Sequence, residues 1–292
     1  MNIQTNQKIN EATDYYVDKV TELQTFPAAT IRMMQLINND NTTVDELEIA
    51  ISVDPVMVSR LLRLVNSVAL KGREEIKTIK ESIVRVGLNN LRELVTADLY
   101  REVIKETDTG VLEDKDFSFK LLWNHSLTVA ILSKIIAKLL YNSNGEREFM
   151  TGILHDIGLL IIIVTAPVTM TKVIEEWSKD KDKNDFLEIE MKHLNTNHCL
   201  IGAKLCSQWN LPSEAKYAIK NHHSTLLKTD VQRTLQLANY IADRKRFSAI
   251  LQGKAKLNSM IKRLVKGNAD KLRGLDGVLR KEMNKVKDLY DL

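Results

Sequence analysis

All six histidines of this 292-residue chain lie between positions 125 and 223. They are His125 in Trp-Asn-His-Ser, His155 in His-Asp-Ile-Gly, His193, His198, and the adjacent pair His222 and His223. Imidazole is the commonest metal ligand near neutral pH, and a carboxylate such as Asp156 can join it. The spacing alone is not specific, because no two histidines are four residues apart as in zinc-protease helices. The clustering therefore leaves two readings open, a metal site or a set of hydrogen-bonded core histidines.

The chain around and before these histidines carries start and stop signals of α-helices. Residues 43–46 and 78–81 are capping boxes, in which a threonine and a glutamate three residues later bond each other's backbone N–H groups. Asp54 is an N-cap residue followed by Pro55 at the first helical position, where proline needs no N–H. Gly87 ends the helix that begins after residue 78. With only 4 prolines and 11 glycines, the chain lacks the turns of an all-β fold, so we predict an all-α fold.

A polar stretch at residues 105–115 interrupts the helical pattern and is the predicted boundary between two units. We predict an N-terminal helical bundle at residues 13–105, a second helical domain at 116–247 and a basic helical extension at 248–292. Because short helices need tertiary burial, the bundle is expected to pack rigidly on the second domain, with residues 105–115 as an ordered crossing. Apolar periodicity in the second domain predicts helices at 116–140, 146–165, 168–179, 185–194, 197–209, 213–223 and 230–247.

The charge is unevenly spread along the chain. The net charge is +4, but residues 244–292 carry 14 lysines and arginines against 5 acidic residues. A basic tail can bind a nucleic acid or an anionic membrane. Because acidic residues are interspersed in this tail and it matches no nucleic-acid-reading motif, we predict a solvated helical face and no nucleic-acid partner.

Neither the N-terminus nor any apolar run predicts insertion into a membrane. Residues 1–16 lack the apolar core of a signal peptide, and the most apolar run, 158–166, is shorter than the ~20 residues of a membrane span. Cys199 and Cys206 would lie about 10 Å apart on a helix, too far for a disulfide. They are predicted to be buried thiols in a reducing compartment, and the chain is predicted to be soluble and cytoplasmic.

Several short motifs occur in an order that resembles the HDOD domain. In the second half they are Trp-Asn-His-Ser at 123–126, Gly-Ile-Leu-His-Asp-Ile-Gly at 152–158, Glu190, residues 198–203, Trp-Asn-Leu-Pro at 209–212 and the pair 222–223. In the first half they are Phe-Pro at 26–27, Asp-Pro at 54–55, residues 61–67 and Val-Gly-Leu at 86–88. The resemblance covers about residues 22 to 223. HDOD domains are divergent signalling relatives of the HD superfamily of metal-dependent phosphohydrolases and of its HD-GYP branch.

The resemblance implies a divalent metal site, with Fe, Mn, Zn, Mg or Ni as candidate ions. The implied ligand set is His125, His155, Asp156, His198, His222, His223 and, on a later helix, Asn239. His193 matches nothing in the family pattern, so we predict that it lies on the surface of the helix at 185–194.

Three departures separate this chain from working HD and HD-GYP enzymes. Asn239 stands where an aspartate ligand is expected, and Asp243 is a carboxylate one helical turn later that could compensate. Leu159 replaces the lysine that follows His-Asp-Ile-Gly in HD-GYP enzymes, which removes a cation near the scissile phosphate. The Gly-Tyr-Pro element is absent after His223.

These departures favour a regulatory function over catalysis. The resemblance implies a bacterial regulatory protein without catalytic residues, which acts through contacts with signalling proteins or through a small nucleotide ligand in a vestigial metal site. The alternative is a metal-dependent phosphohydrolase that acts on a nucleotide or a cyclic dinucleotide. Nucleic-acid binding through the basic tail is the weakest of the three alternatives.

Overall fold

A computed structural model of the chain describes residues 3–22, 28–65, 76, 78–107, 119–180, 185–244 and 259–290. All regular elements within these ranges are helices, which confirms the predicted all-α class. In chain order they are α1 Ile3–Glu22, α2 Ala28–Ile37, α3 Val44–Ser52, α4 Pro55–Val65, α5 Ile79–Thr107, α6 Phe119–Tyr141, α7 Glu146–Leu154, α8 Ile157–Thr165, α9 Pro167–Ser178, α10 Phe186–Leu194, α11 His198–Gln208, α12 Ser213–Lys220, α13 Asp230–Arg244, α14 Ser259–Gly267 and α15 Leu275–Tyr290.

Most local signals in the first half act as predicted, although only one bond of the capping box predicted at 78–81 is found, from the Glu81 N–H to the Thr78 hydroxyl at 3.2 Å. The Thr43 hydroxyl accepts the Glu46 N–H at 3.3 Å, and the Glu46 carboxylate accepts the Thr43 N–H at 2.9 Å, so the capping box closes at the start of α3. Asp54 accepts the N–H of Met57 at 3.0 Å and caps α4. Gly87 has φ 75° inside α5 and divides it into two helical parts. The Phe-Pro motif at 26–27 and residues 66–67 lie outside the described part of the chain.

The predicted single helix at 146–165 is wrong. It is two helices, because His155 and Asp156 interrupt it, with Asp156 at φ −103° and ψ 14°. Each of the two helices packs closely against a different neighbouring helix, and a glycine lies at each contact. A Cβ on Gly152 would lie 2.6 Å from the Cα of Ala130 on α6, and a Cβ on Gly158 would lie 2.0 Å from the carbonyl oxygen of His198 on α11. These two close approaches place α7 against α6 and α8 against α11, on the two sides of the interruption.

The stretch Glu146–Thr165 is also the one described segment that is long and apolar enough to cross a bilayer by length and composition. Of its most apolar window, 94% is buried inside the protein. It therefore forms part of the protein core.

The N-terminal helices pack on the second half, as predicted, within one continuous hydrophobic core. Helix α5 contacts α6, α7 and α8. Its Tyr100 is fully buried, lies against Trp123 with ring centroids 6.1 Å apart, and places its hydroxyl 2.7 Å from the Ser126 hydroxyl. Helix α1 lies against α8 and α11 of the second half, where Thr13 and Thr196 meet at 2.7 Å. Of the predicted boundary at residues 105–115, residues 105–107 belong to α5 and residues 108–115 lie outside the described residues, so the ordered crossing and the domain limits stay predictions.

The C-terminal extension is helical where it is described. Helix α15 packs against α6 and α4 and buries Leu275, Leu279 and Met283. Helix α14 contacts α13 and buries Ile261. Residues 245–258 and 291–292 of this extension lie outside the described part of the chain.

Candidate metal centre

Five buried side chains from separate parts of the second half converge at one point. They are His125 on α6, His155 and Asp156 between α7 and α8, His198 at the start of α11, and His222 just after α12. Each is 3% exposed or less. Helix packing alone brings them together, since His125 and His155 are 30 residues apart in the chain and touch.

The Asp156 carboxylate lies at the centre of this cluster, and each of its oxygens faces a different pair of imidazoles. Oδ2 is 3.0 Å from Nε2 of His155 and 3.7 Å from Nε2 of His125. Oδ1 is 3.4 Å from Nε2 of His222 and 3.8 Å from Nε2 of His198. A carboxylate in this position can serve two cation positions, one on each side.

Backbone carbonyls fix the orientation of two of these rings. Nδ1–H of His155 donates to the carbonyl oxygen of Gly152 at 2.8 Å, and Nδ1–H of His222 donates to that of Ile219 at 2.7 Å. A carbonyl oxygen only accepts, so the proton is on Nδ1 in each ring. In the neutral ring the Nε2 lone pair then points at Asp156, which is the arrangement of metal-ligating histidines.

A buried carboxylate fixes the third ring. Nδ1–H of His198 donates to Oε2 of Glu190 at 2.7 Å, and the backbone N–H of His198 donates to the same oxygen at 3.3 Å. Glu190 is fully buried on α10. The sequence resemblance included Glu190 without a role. The structure places it behind His198, where it orients the ring and strengthens its Nε2 as a donor.

The facing Nε2 atoms require a proton or a metal ion at each contact. Nε2 of His125 and Nε2 of His155 are 3.3 Å apart, and Nε2 of His198 and Nε2 of His222 are 3.4 Å apart. Two imidazole lone pairs at these distances repel each other unless a proton or a metal ion lies at the contact. Because Nδ1 of His198 and Nδ1 of His222 already carry protons, their Nε2 contact requires a positive charge, either a second proton on one ring or a metal ion.

When protons supply the positive charge, the pKa values in the cluster shift so that Asp156 is ionised and His222 is protonated. Burial alone would raise the pKa of the Asp156 carboxyl, but His155 and His222 outweigh burial and hold it well below its usual range. Burial alone would lower the pKa of His222, but Cys199 and Asp156 outweigh it and raise that pKa to about 10.

A divalent ion fits this set of residues. Neither oxygen of Asp156 makes a hydrogen bond of normal geometry within the described residues, although the side chain is buried. A buried carboxylate without such partners is costly unless a cation satisfies it. The candidate ligand atoms form two compact groups in the described part of the chain, His125 with His155 and Asp156, and His198 with Cys199, His222 and His223.

Asn239 lies on α13, at the position where the family pattern expects a carboxylate ligand. Asn239 is buried there, and its Oδ1 has no hydrogen-bond partner among the described residues. Its place among the ligands stays a prediction. Asp243, one turn later, brings Oδ1 to 3.9 Å from Nδ1 of His125, on the side of the ring away from Asp156. The carboxylate therefore approaches the site from behind a histidine.

The prediction for His193 needs refinement. His193 is separate from the cluster, as expected, but it is partly buried. Its Nε2 lies 2.8 Å from the Glu176 carboxylate on α9.

The prediction for Cys199 also needs refinement. Cys199 is buried as expected, but its Sγ lies inside the cluster, 3.4 Å from Nε2 of His198. Its position directly after a candidate ligand was the signal that could have placed it there.

Comparison with known proteins identifies the fold and the family pattern. A model of the HDOD domain matches residues 23–225. The solved structure of an HDOD domain protein from Geobacter sulfurreducens has a TM-score of 0.62 at 21% identity, covering 93% of this chain and 89% of that one, and supports the fold. The solved structure of a candidate phosphohydrolase from Shewanella amazonensis SB2B has a TM-score of 0.60 at 27% identity, covering 91% and 97%.

One curated relative is an uncharacterized protein of Treponema pallidum (strain Nichols). It is 24% identical over 228 residues, which are 76% of this chain and 42% of that protein. The chain spans less than half the length of the curated relatives that it matches.

Proposed function

Since the chain belongs to the HDOD domain family, we propose that it is a bacterial regulatory protein that holds a divalent metal ion in its histidine–aspartate cluster and does not hydrolyse phosphate esters. We further propose that it works in the cytoplasm, through contacts with signalling proteins or through a small nucleotide ligand. The observation that carries the metal-binding part is the pair of facing Nε2 contacts on the two sides of Asp156.

The chain's own residues have distinct tasks in this proposal. His125, His155, Asp156, His198 and His222 would hold the ion, and backbone carbonyls and Glu190 keep three of the rings turned toward Asp156. A divalent ion bound in such a site can act as a Lewis acid and can lower the pKa of a bound water.

Burial argues against turnover. Asp156 and the four histidines nearest to it are 3% exposed or less, so they present almost no surface to a charged phosphate ester in this conformation. The buried Leu159 on α8 supplies no cation for a phosphate oxygen, and positive charge on those oxygens is what phosphoryl transfer needs. The neutral Asn239 adds no charge to hold the ion.

The second candidate is a metal-dependent phosphohydrolase. It is favoured by the approach of Asp243 to His125 and by the candidate phosphohydrolase of Shewanella amazonensis SB2B among the similar structures. Under this alternative the Asp243 carboxylate would orient His125 and make up for the neutral Asn239.

Metal analysis combined with a hydrolysis assay tests the proposal. Protein carrying no histidine tag is purified without chelators, and its metal content is measured by inductively coupled plasma mass spectrometry. We expect at least one equivalent of a divalent metal in the wild type and in His193→Asn, the matched control outside the cluster, and a loss in Asp156→Asn. Wild-type protein without metal, even after incubation with Zn²⁺, Fe²⁺ or Mn²⁺, would contradict metal binding.

Hydrolysis is then measured with nucleotides and cyclic dinucleotides in the presence of Mn²⁺ or Fe²⁺. We expect the wild type to match Asp156→Asn, at the background rate. Turnover in the wild type that Asp156→Asn abolishes would establish the phosphohydrolase alternative.

A further inference from the structure

One side of the cluster contains a thiol that the proposed function leaves unused. Sγ of Cys199 lies 3.4 Å from Nε2 of His198 and 3.7 Å from Nδ1 of His222. The thiol is 3% exposed and lies on α11 directly after His198. The opposite side, formed by His125 and His155, contains no cysteine in its ligand group. The two sides therefore differ in donor chemistry.

The distances on the thiol side match the edges of a tetrahedral zinc site. With Zn–N near 2.0–2.1 Å and Zn–S near 2.3 Å, neighbouring donors in a tetrahedron are roughly 3.3–3.6 Å apart. Nε2 of His198 is 3.4 Å from Nε2 of His222 and 3.4 Å from Sγ of Cys199. Oδ1 of Asp156 is 3.4 Å from Nε2 of His222 and 3.8 Å from Nε2 of His198. Three of these four distances lie within that range, and the fourth, between Oδ1 of Asp156 and Nε2 of His198, is slightly longer.

We propose that Cys199 is a metal ligand, and that with His198, His222 and Asp156 it forms a closed four-donor site that selects Zn²⁺ over Mg²⁺ and Mn²⁺. This inference rests on the proposed function, because it names the ligand set and the metal of the same cluster. Thiolate is a soft donor that favours zinc, whereas magnesium and manganese favour carboxylate and water oxygens. His223 lies at the exposed edge of this group and is not needed to complete four donors.

A closed shell has a functional consequence. Catalytic zinc sites keep one position open for water or substrate, whereas structural sites fill four positions with protein ligands. Four protein donors on the Cys199 side leave no position for a reacting water. This agrees with a regulatory protein in which the ion ties α8, α11 and the segment after α12 together.

Cobalt spectroscopy tests the thiol ligand directly. The full chain is stripped of metal, loaded with Co²⁺ and recorded in the near ultraviolet, where a thiolate bound to cobalt gives a charge-transfer band. We expect the band in the wild type and in Cys206→Ala, and its loss in Cys199→Ala. Cys206 is the matched control, because it is fully buried on the same helix but belongs to neither group of candidate ligands.

Affinity provides the second measurement. Zn²⁺ competition with a chromophoric chelator should show weaker binding in Cys199→Ala by at least about 100-fold, the upper end of the loss for an outer-shell partner. Cys206→Ala should bind as the wild type does. Mg²⁺ or Mn²⁺ in large excess should not displace Zn²⁺ from the wild type.

X-ray absorption on zinc-loaded wild type covers the case in which Cys199→Ala fails to fold. It should show one sulfur scatterer at about 2.3 Å from zinc. Metal bound without a sulfur scatterer, or a charge-transfer band that survives in Cys199→Ala, overturns the Cys199 inference while metal binding stands. Absence of any bound metal overturns both the inference and the metal-binding part of the proposed function.

Discussion

Asp98 in the N-terminal bundle and Asp156 in the second half are both buried carboxylates, but they obtain positive charge in different ways. The Asp98 side chain is 2% exposed and contacts the guanidinium of Arg60, which is 7% exposed on α4. Glu102, one turn after Asp98, is 3.7 Å from the same guanidinium. An arginine keeps its charge at every pH at which proteins are studied. The charge balance of this pair is therefore permanent and belongs to the fold.

Among the described residues, the ion-pair partners of Asp156 are all imidazoles, with no arginine or lysine. Imidazoles are neutral or positive according to pH, and they bind metals when neutral. The counter-charge of Asp156 is therefore exchangeable between protons and a metal ion. The comparison predicts that a bound cation stabilises the second half and leaves the Arg60–Asp98 pair of the bundle unaffected.

The largest expected effect comes from removing the permanent cation. Arg60→Met should lower the free energy of unfolding by about 3–5 kcal/mol, because it leaves the Asp98 carboxylate buried and unpaired. The loss should be the same with and without zinc, as measured by urea unfolding. Arg273→Met, which breaks an exposed pair with Asp270, is the control and should change stability little. A loss in Arg60→Met that zinc reverses would contradict a permanent, metal-independent pair.

An intermediate effect is expected from neutralising the exchangeable site. With free zinc at 100 times its dissociation constant, the wild type should gain about 2.7 kcal/mol of stability over chelator-treated protein. Asp156→Asn should lose this gain, since the amide cannot supply the anionic oxygens. Asp98→Asn should keep the zinc-dependent gain, although its own stability falls. Calorimetry with zinc and with chelator measures both, and an undiminished gain in Asp156→Asn would show that Asp156 is not a ligand.

The smallest effect is expected from the side chain that joins the two regions. Tyr100 lies two residues after Asp98, and its hydroxyl is 2.7 Å from that of Ser126, which follows His125. Tyr100→Phe should cost about 1 kcal/mol, the usual net value of one buried hydrogen bond. Zinc affinity should stay within about twofold of wild type, because the ligands keep their partners. A tenfold change in zinc affinity would show that the two regions are coupled through this contact.

The sequence predicted the local elements well wherever one residue type has a strong local reason. The Thr43 capping box, the Asp54 cap and the Gly87 break are all found in the structure, because each depends on hydrogen bonds or a backbone angle within four residues. The predicted helix at 146–165 failed for the opposite reason. Apolar residues stand on both sides of His155 and Asp156, so the pattern gives no sign of the interruption, and the packing of Gly152 on α6 and of Gly158 on α11 is visible only in the structure.

The sequence by itself determined the helical class and supplied six candidate ligands that the structure brings together, His125, His155, Asp156, His198, His222 and His223. Only the tertiary structure decided which donor atoms of these side chains lie next to each other. The two oxygens of Asp156 each meet a separate pair of Nε2 atoms, and the sulfur of Cys199 joins one of these pairs. The physical reason is that these side chains come from different helices, so their distances follow from helix packing and from the Nδ1 hydrogen bonds that turn each ring. Apart from the position of Cys199 directly after His198, no pattern along the chain encodes those contacts.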